Sequence, residues 1–275
     1  MSTDRISPSL TSDARVGDTK AILGLVYSGA TYLGFLATFV YLALFSDGVL
    51  VPKSVDTGSL GDLTSTLGLD LSLLLLFGLQ HSVMARASFK QVLTQVVPAH
   101  LERATFVLAS SAVLVFLMWL WRPLPTLLWS VQSSPWVAAL WTLNAVGWLG
   151  VPVCSYMIDH FDLFGLKQPL QHFRRVSMAR QGFVTPLLYK YVRHPMMTFF
   201  LLGLWATPTM TVGHLVLSLG LSLYILVGVH FEERALRREL GEEYVRYQES
   251  TPKFFPVGTR QVEAPERPSA IRQAR

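Results

Sequence analysis

Two short sequences in the last third of the chain carry residue types that can bind and orient a charged ligand. Arg193-His194-Pro195 precedes an apolar stretch, and Glu232-Glu233 follows the next one. Proline suits the first position of a helix because it has no amide hydrogen, and the other amides of that turn face a ligand or water. If the two apolar stretches form a hairpin, Glu232 approaches His194. Anchoring of a helix at the membrane boundary explains Arg-His-Pro equally well.

Other polar residues lie at the ends of further apolar stretches. His81 stands in Leu-Gln-His-Ser, and residues 158–165 combine two carboxylates, His160 and interleaved aromatic rings. An ionisable group within a membrane span indicates a function by default. The alternatives without a catalytic role are that His81 caps a helix at the membrane interface and that residues 158–165 form a solvated loop. Farther on, Tyr244 and Tyr247 are one helical turn apart, and we expect this aromatic face to fold back on the hairpin.

Metal and disulfide chemistry have little support in the sequence. The seven histidines show no zinc-ligand spacing such as His-Glu-x-x-His, and Cys154 is the single cysteine. One thiol excludes an intramolecular disulfide and every site built from several cysteines. We therefore expect no metal site.

The elements that position these residues are membrane helices. Hydrophobic residues make up 51% of the 275 and charged residues 15%, with a mean hydropathy of +0.39, whereas soluble domains carry about 25% charge. A span needs about 20 apolar residues. The stretches that provide them are 21–45, 67–85, 105–121, 136–157 and 212–231. Residues 196–206 are too few to cross alone, so we predict an all-α integral membrane fold of about five transmembrane helices plus a short hairpin arm, tilted or re-entrant.

The distribution of basic residues predicts the orientation in the membrane. With a cytoplasmic N-terminus, 21 of the 23 Lys and Arg residues are cytoplasmic, and only Lys53 and Arg122 are not. The positive-inside rule therefore places both termini in the cytoplasm. The net charge of +5 then reflects topology, and we expect no nucleic-acid partner. Residues 1–20 and 257–275 are predicted to be polar tails around a membrane domain, 21–256.

The ordered set of motifs resembles a known family of membrane enzymes. Arg193-His-Pro, Glu232-Glu233, Gly241-Glu-Glu-Tyr-x-x-Tyr247 and the Thr-Pro…Pro segment at 251–256 resemble the C-terminal half of isoprenylcysteine carboxyl methyltransferases and their bacterial relatives. That match covers about residues 180–256. Through residues 76–86, 160–167 and 206–214, the chain resembles the bacterial methanethiol S-methyltransferases over a longer stretch.

The resemblance implies S-adenosylmethionine bound in a cytoplasm-facing pocket of the hairpin and its flanking segments. The residues assigned to cofactor binding are Gln181, Gly182, Phe183, Val184, Tyr189, Arg193, His194, Pro195, Met196, Met197, Glu232, Tyr244 and Tyr247. Two positions depart from the isoprenylcysteine enzymes. Met197 replaces a tyrosine, and Gly228 stands where those enzymes place an arginine that meets the substrate carboxylate. The glycine favours a small uncharged thiol or a thiolate.

The implied reaction converts methanethiol, a small volatile thiol, to dimethyl sulfide. The candidate bases for the thiol proton are His81, His160 and Asp162, in that order. Apolar residues of the second to fourth spans, with Phe161 and Phe164, would form a pocket that the thiol reaches through the membrane lipid. Two alternatives stay open: methyl transfer to a lipid or prenyl-like substrate, and a non-enzymatic membrane subunit or small-molecule carrier.

Overall fold

The structure, a computed structural model, describes residues 9–176 and 183–256. The helices are α1 (Ser9–Asp47), α2 (Leu63–Met84), α3 (Ala87–Leu93), α4 (Glu102–Leu120), α5 (Ser134–Ile158), α6 (His160–Leu163), α7 (Lys167–Arg174), α8 (Pro195–Trp205), α9 (Val212–Leu240) and α10 (Glu242–Ser250), with 3-10 turns at Ala99–Leu101 and Leu187–Lys190. Within these residues, five helices are long and apolar enough to cross a membrane, and α8 is a shorter apolar helix. The predicted all-α membrane fold with a short arm is confirmed.

Two helices extend beyond their predicted apolar stretches. Helix α1 begins at Ser9, so residues 9–20 of the predicted polar tail continue the first helix. Helix α9 continues past residue 231 to Leu240, which places Glu232 and Glu233 inside it. Gly241 ends α9 with a φ of +59°, a conformation that glycine adopts without a steric penalty. Hydropathy marks only the part of a helix within the lipid, and backbone hydrogen bonding continues beyond it.

The short helix α8 packs closely against α5. A side chain at Gly147 would collide with the backbone of Gly203, so the two glycines let the helix backbones touch. Asn144 of α5 donates one amide hydrogen to the Gly203 carbonyl at 2.9 Å and another to the Asp47 carboxylate at 3.0 Å. The eleven residues of α8 span only about 17 Å. Its packing on α5 therefore holds it as one arm of a hairpin with α9.

Two short strands close the end of the bundle where α8 turns into α9. Strands β1 (Leu127–Ser130) and β2 (Thr209–Thr211) pair antiparallel, with Leu127 opposite Thr211 and Ser130 opposite Thr209. The sequence pattern predicts no strand between the short arm, 196–206, and the last span, 212–231. Pairing between segments distant along the chain leaves no local periodic signal, which is why the strands are absent from the prediction.

The core next to these strands is aromatic. Phe45 and Trp121 are buried with their ring centroids 6.3 Å apart, and Trp121 Nε1 donates to the Val55 carbonyl at 3.2 Å. These contacts fix one end of the bundle. The opposite end, where α2, α5 and α9 finish and α8 begins, is termed the basic end because Lys- and Arg-rich segments follow it. The predicted site residues lie there.

Candidate functional site

Glu233 is the centre of a buried ion-pair cluster at the basic end. Its side chain is 4% exposed, Arg193 Nε donates to its Oε1 at 2.9 Å, and Lys253 Nζ lies 3.1 Å from its Oε2. His194 Nε2 lies 3.2 Å from Oε1. Glu233 thereby joins α9 to the start of α8 and to the segment that follows α10. The spacing of Glu233 and Arg237 is typical of a solvated helix face, but Glu233 is buried.

Arg193 also holds the segment after α10. Its Nη1 donates to the carbonyl of Gln248 at 2.9 Å and to the carbonyl of Thr251. The backbone amides of Arg193 and His194 donate to two consecutive carbonyls of the same segment, at 2.9 and 3.0 Å. Arg193 thus ties the C-terminal segment across the first turn of α8.

Glu232 faces a different environment from its neighbour because consecutive helical residues point about 100° apart. The Glu232 side chain is 52% exposed, and within the described part of the chain its ion-pair partner is His194 Nδ1, 3.8 Å from Oε2. Burial lowers the pKa of His194, and the two cations around Glu233 lower it further against the pull of that carboxylate. A neutral imidazole does not compensate the charge of Glu232. This carboxylate is therefore available to a cationic or hydroxyl-bearing ligand.

An aromatic cluster forms beside the start of α8. The Phe183 ring centroid lies 5.3 Å from that of Tyr247 and 5.9 Å from that of Tyr244. The Tyr247 hydroxyl donates to the Tyr189 carbonyl at 2.5 Å, so the expected fold-back of the α10 aromatic face is observed. Burial raises the pKa of Tyr244 to about 12. The cluster is a rigid apolar wall.

Tyr189 connects this wall with Glu232. Burial raises the pKa of Tyr189, and the electrostatic interaction with the Glu232 carboxylate raises it further. The phenol therefore stays protonated. Its proximity to Glu232 and to the buried free thiol of Cys154 shows that α5, α9 and the turn before α8 meet at this point.

The other residues assigned to cofactor binding line the entrance to α8. Pro195 begins the helix and is buried, Met196 and Met197 are partly buried on its first turn, and Val184 is exposed. The assigned residues outside the described part of the chain are Gln181 and Gly182. The structure therefore brings the assigned set together around the start of α8.

His81, the first candidate base, belongs to α2 and contacts α4 and α9. Its Nδ1 is 2.5 Å from the Tyr224 hydroxyl, and its ring centroid lies 4.8 Å from that of Phe106 and 5.6 Å from that of Phe77. No protein group among the described residues makes a hydrogen bond to Nε2. Tyr224 lies two turns before Glu232 on α9, so His81 reaches the face of α9 that leads to Glu232.

His160, the second candidate base, is saturated by protein partners. Its Nε2 is 2.7 Å from the Tyr32 hydroxyl and its Nδ1 is 2.6 Å from Ser155 Oγ. The ring stacks on Tyr156 with centroids 4.0 Å apart, and it is 4% exposed. Burial lowers the pKa of His160. These contacts are those of a histidine that joins α1 to the end of α5.

Asp162, the third candidate base, belongs to a loop network. Gln168 Nε2 donates to its carboxylate at 3.2 Å and to its carbonyl at 3.1 Å. The Asp162 amide donates to Asp159, which also pairs with Lys167. In the described residues, no hydrogen bond or ion pair joins Asp162 to His81 or Glu232.

Gly228 leaves an opening between His81 and Glu232. Tyr224, Gly228 and Glu232 follow each other at intervals of four residues and so share one face of α9. A Cβ built on Gly228 would have no heavy atom within 4 Å. We term this face, Tyr224-Gly228-Glu232 with His81 beside it, the open stripe.

The structure adds two residues to those assigned from the sequence. Glu233 organises the ion-pair cluster, and Tyr224 holds His81. The available signal for Tyr224 is its spacing of eight residues from Glu232, which keeps both on one helix face. The searched residues, 9–176 and 183–256, contain no group of three or more His, Cys, Asp or Glu side chains that could hold a metal ion.

Comparison with known proteins finds relatives over most of the chain. The chain is 45% identical over 235 residues to methanethiol S-methyltransferase 2 of Bradyrhizobium diazoefficiens, which covers 84% of this chain and 89% of that protein. It is 48% identical over 235 residues to the methanethiol S-methyltransferase of Pseudomonas deceptionensis, with coverage of 86% and 90%. The corresponding protein of Mycobacterium tuberculosis is 41% identical over 237 residues, with coverage of 86% and 97%. No protein-family model and no solved structure matches the chain.

Proposed function

The chain belongs to the methanethiol S-methyltransferase family, and we propose that it transfers the methyl group of S-adenosylmethionine to methanethiol, forming dimethyl sulfide. Membership of the family makes it a membrane thiol methyltransferase. The open stripe is the observation that supports both the proposed cofactor and the proposed substrate. There an uncompensated carboxylate, Glu232, adjoins open space at Gly228.

The residues around Glu232 fit a cofactor that carries an ammonium group, ribose hydroxyls and an aromatic base. Glu232 would bind the ammonium or a ribose hydroxyl, and His194 with the first turn of α8 would hold the amino-acid part. Tyr189 would border the cofactor, and the aromatic wall offers an apolar surface. When bound, S-adenosylmethionine supplies an electrophilic methyl group on a positively charged sulfur. Arg193, which pairs with Glu233 and holds the segment after α10, would position these residues.

The open space at Gly228 favours a small neutral substrate. The stripe residues include no cation that would compensate a substrate carboxylate. Burying such a charge without a partner costs several kcal/mol. Methanethiol has no carboxylate and only one carbon, so the space suits it better than it suits a thioacid or a prenylcysteine.

Methyl transfer to a thiol requires alignment and loss of the thiol proton. The displacement is in line, so positioning of the two reactants contributes much of the rate. A simple alkanethiol has a pKa of roughly 10, and forming its thiolate near neutral pH costs about 4 kcal/mol. His81 is the candidate base that the open stripe favours, ahead of His160 and Asp162, because one of its nitrogens has no described protein partner.

The proposed cofactor site faces the cytoplasm of a bacterial inner membrane. This orientation follows from the positive-inside rule applied to the basic end. Reporter fusions test it: a reporter at Leu60 should be periplasmic, and reporters at Ala99, Val176 and the C-terminus should be cytoplasmic. A cytoplasmic reporter at Leu60 would contradict the orientation of the first two spans.

Cofactor binding to a Glu232 variant tests the proposed site. Glu232→Ala should weaken S-adenosylmethionine binding at least tenfold, or about 1.4 kcal/mol, through loss of a charge-assisted hydrogen bond. Calorimetry on purified protein in nanodiscs measures the change. Glu239→Ala, an exposed glutamate two turns later on α9, is the matched control and should bind normally. Wild-type affinity in folded Glu232→Ala protein would remove Glu232 from the site.

A further inference from the structure

Two histidines of the bundle differ in how many ring nitrogens have protein partners. His160 uses both nitrogens, with Tyr32 and Ser155. His81 uses Nδ1 with the Tyr224 hydroxyl, and among the described residues no hydrogen bond is made to its Nε2. In a membrane span an ionisable group with an unused nitrogen indicates a functional role. His81 is therefore the histidine with a nitrogen to offer a substrate.

The hydrogen bond between Tyr224 and His81 couples the phenol hydrogen to the His81 tautomer. The phenol oxygen lies 2.5 Å from His81 Nδ1, and in each tautomer one of the two groups donates to the other. In the tautomer with the hydrogen on Nδ1, the imidazole donates to the phenol oxygen. A neutral imidazole has one N–H, so its free lone pair is then on Nε2.

Tyr224, which contacts His81, stands one turn before Gly228 on α9. Tyr224 and Glu232 are separated by eight residues, which corresponds to about 12 Å along α9, and Gly228 stands midway between them. Nothing lies within 4 Å of a Cβ built at Gly228, and the Glu232 charge acts on the Tyr224 phenol. The thiol of the proposed function would occupy this space, between the His81–Tyr224 pair and a cofactor held by Glu232.

We propose that Tyr224 is a positioning residue that fixes the His81 tautomer, and that His81 Nε2 accepts the thiol proton; this rests on the proposed function. The S–H bond breaks, its proton goes to Nε2, and the sulfur uses the freed electron pair to bond the methyl carbon. The bond from that carbon to the cofactor sulfur breaks, and its electron pair neutralises the sulfonium. The products are dimethyl sulfide, a neutral cofactor thioether and an imidazolium, which returns its proton to water.

The groups that face the imidazole come from three helices. Arg103 of α4 acts on His81 electrostatically, and its guanidinium lies 5.9 Å from the Phe106 ring centroid. Tyr224 comes from α9, and Phe77 from α2 itself. Like charges repel, so Arg103 favours loss of the proton from the imidazolium that forms during turnover.

Thiols of different acidity separate proton removal from a structural role. We would compare kcat/KM of His81→Gln and Tyr224→Phe in nanodiscs for methanethiol near neutral pH and for trifluoroethanethiol near pH 9, where that more acidic thiol is mostly ionised. With methanethiol we expect losses of about 100-fold for His81→Gln, within the usual range for a general base, and about tenfold for Tyr224→Phe. With trifluoroethanethiol both losses should shrink below about threefold, because no proton remains to be removed.

A matched variant and a measurement without cofactor complete the test. Tyr27→Phe removes a hydroxyl that lies 3.0 Å from Thr105 Oγ1. This contact is outside the open stripe, so kcat/KM should be unchanged for both thiols. Nitrogen-15 NMR of histidine-labelled, cofactor-free protein reports the tautomer, with the His81 signal assigned by its loss in His81→Gln. We expect the lone pair on Nε2 in the wild type and mixed tautomers in Tyr224→Phe.

The outcomes distinguish failure of this inference from failure of the proposed function. Equal losses with both thiols, or a wild-type lone pair on Nδ1, would overturn the inference while methylation itself stands. A wild-type protein that methylates neither thiol would contradict the proposed function, and the NMR tautomer would still decide the role of Tyr224.

Discussion

The open stripe of α9 and the His160 cluster each place a histidine beside a tyrosine hydroxyl, but they leave different amounts of hydrogen-bonding capacity unused. At His160, Tyr32 and Ser155 take both ring nitrogens, and the ring is stacked and buried. At His81, Tyr224 takes one nitrogen, and open space lies one turn farther along α9 at Gly228. A saturated histidine joins helices, whereas a half-saturated one beside open space is available for chemistry.

The same contrast holds between two adjacent glutamates. Glu233 is 4% exposed and contacts two cations, while Glu232 is 52% exposed and lies 3.8 Å from the His194 imidazole. Burial with partners makes Glu233 structural, and exposure without a compensating charge makes Glu232 a ligand-binding candidate. The number of unused polar atoms therefore separates function from structure better than the residue type does.

We expect the largest effect from replacing Glu233, the glutamate whose carboxylate is paired with two cations. Glu233→Ala leaves Arg193 and Lys253 without their buried partner, and we expect a loss of about 3–5 kcal/mol in the free energy of unfolding. Thermal unfolding in detergent measures it, with exposed Glu239→Ala as the matched control. A melting temperature for Glu233→Ala equal to that of the control would show that the cluster does not stabilise the fold.

Replacing His160, whose two ring nitrogens both have protein partners, should lower stability and leave catalysis unchanged. His160→Gln leaves buried hydrogen-bond partners unsatisfied, at a cost of about 1–3 kcal/mol each, so the melting temperature should fall. Its kcat per folded molecule should stay within about threefold of the wild type, in contrast to the loss of about 100-fold expected for a general base at His81. A large fall in kcat with an unchanged melting temperature would reverse the roles of the two histidines.

Sequence patterns predicted the spans and the short arm, but they did not predict which polar atoms form hydrogen bonds or ion pairs with other protein groups. Hydropathy identifies α8 as too short to cross because the signal is local and cumulative. Glu232 and Glu233 are adjacent residues of the same type, so the sequence does not distinguish them. Their environments differ because their side chains point about 100° apart on α9. Lys253 and Tyr32, which saturate Glu233 and His160, come from distant segments. Their pairings depend on tertiary packing, which leaves no local periodic pattern.

A smaller effect should follow from closing the open stripe. Gly228→Arg fills the space proposed for the thiol and puts a cation one helical turn from Glu232, with which it can pair, so methanethiol turnover should fall by about tenfold, or about 1.4 kcal/mol. Wild-type protein should also have a far higher kcat/KM for methanethiol than for mercaptopropionate or a prenylcysteine. Gly228→Ala is the graded control, with an intermediate fall. Equal wild-type activity on the carboxylate-bearing thiols would favour a lipid-like substrate instead.

The smallest expected effect is a dependence of stability on pH. Burial lowers the pKa of both His160 and His194 in the folded protein. Protonation therefore favours the unfolded chain, whose histidines titrate near 6.5, and the stabilisation is lost as the pH falls below that value. The melting temperature should decrease between about pH 7 and pH 5, and less steeply in His160→Gln. A melting temperature that rises on acidification would contradict this.

The central claim, that the open stripe is a site of thiol methylation by S-adenosylmethionine, is tested most directly with a labelled methyl group. Purified protein in nanodiscs is given methanethiol and S-adenosylmethionine deuterated in its methyl group, and the headspace is analysed by gas chromatography and mass spectrometry. We expect trideuterated dimethyl sulfide from the wild type and from His160→Gln, and strongly reduced amounts from Glu232→Ala and His81→Gln. Absence of the labelled product from folded wild-type protein would contradict the claim.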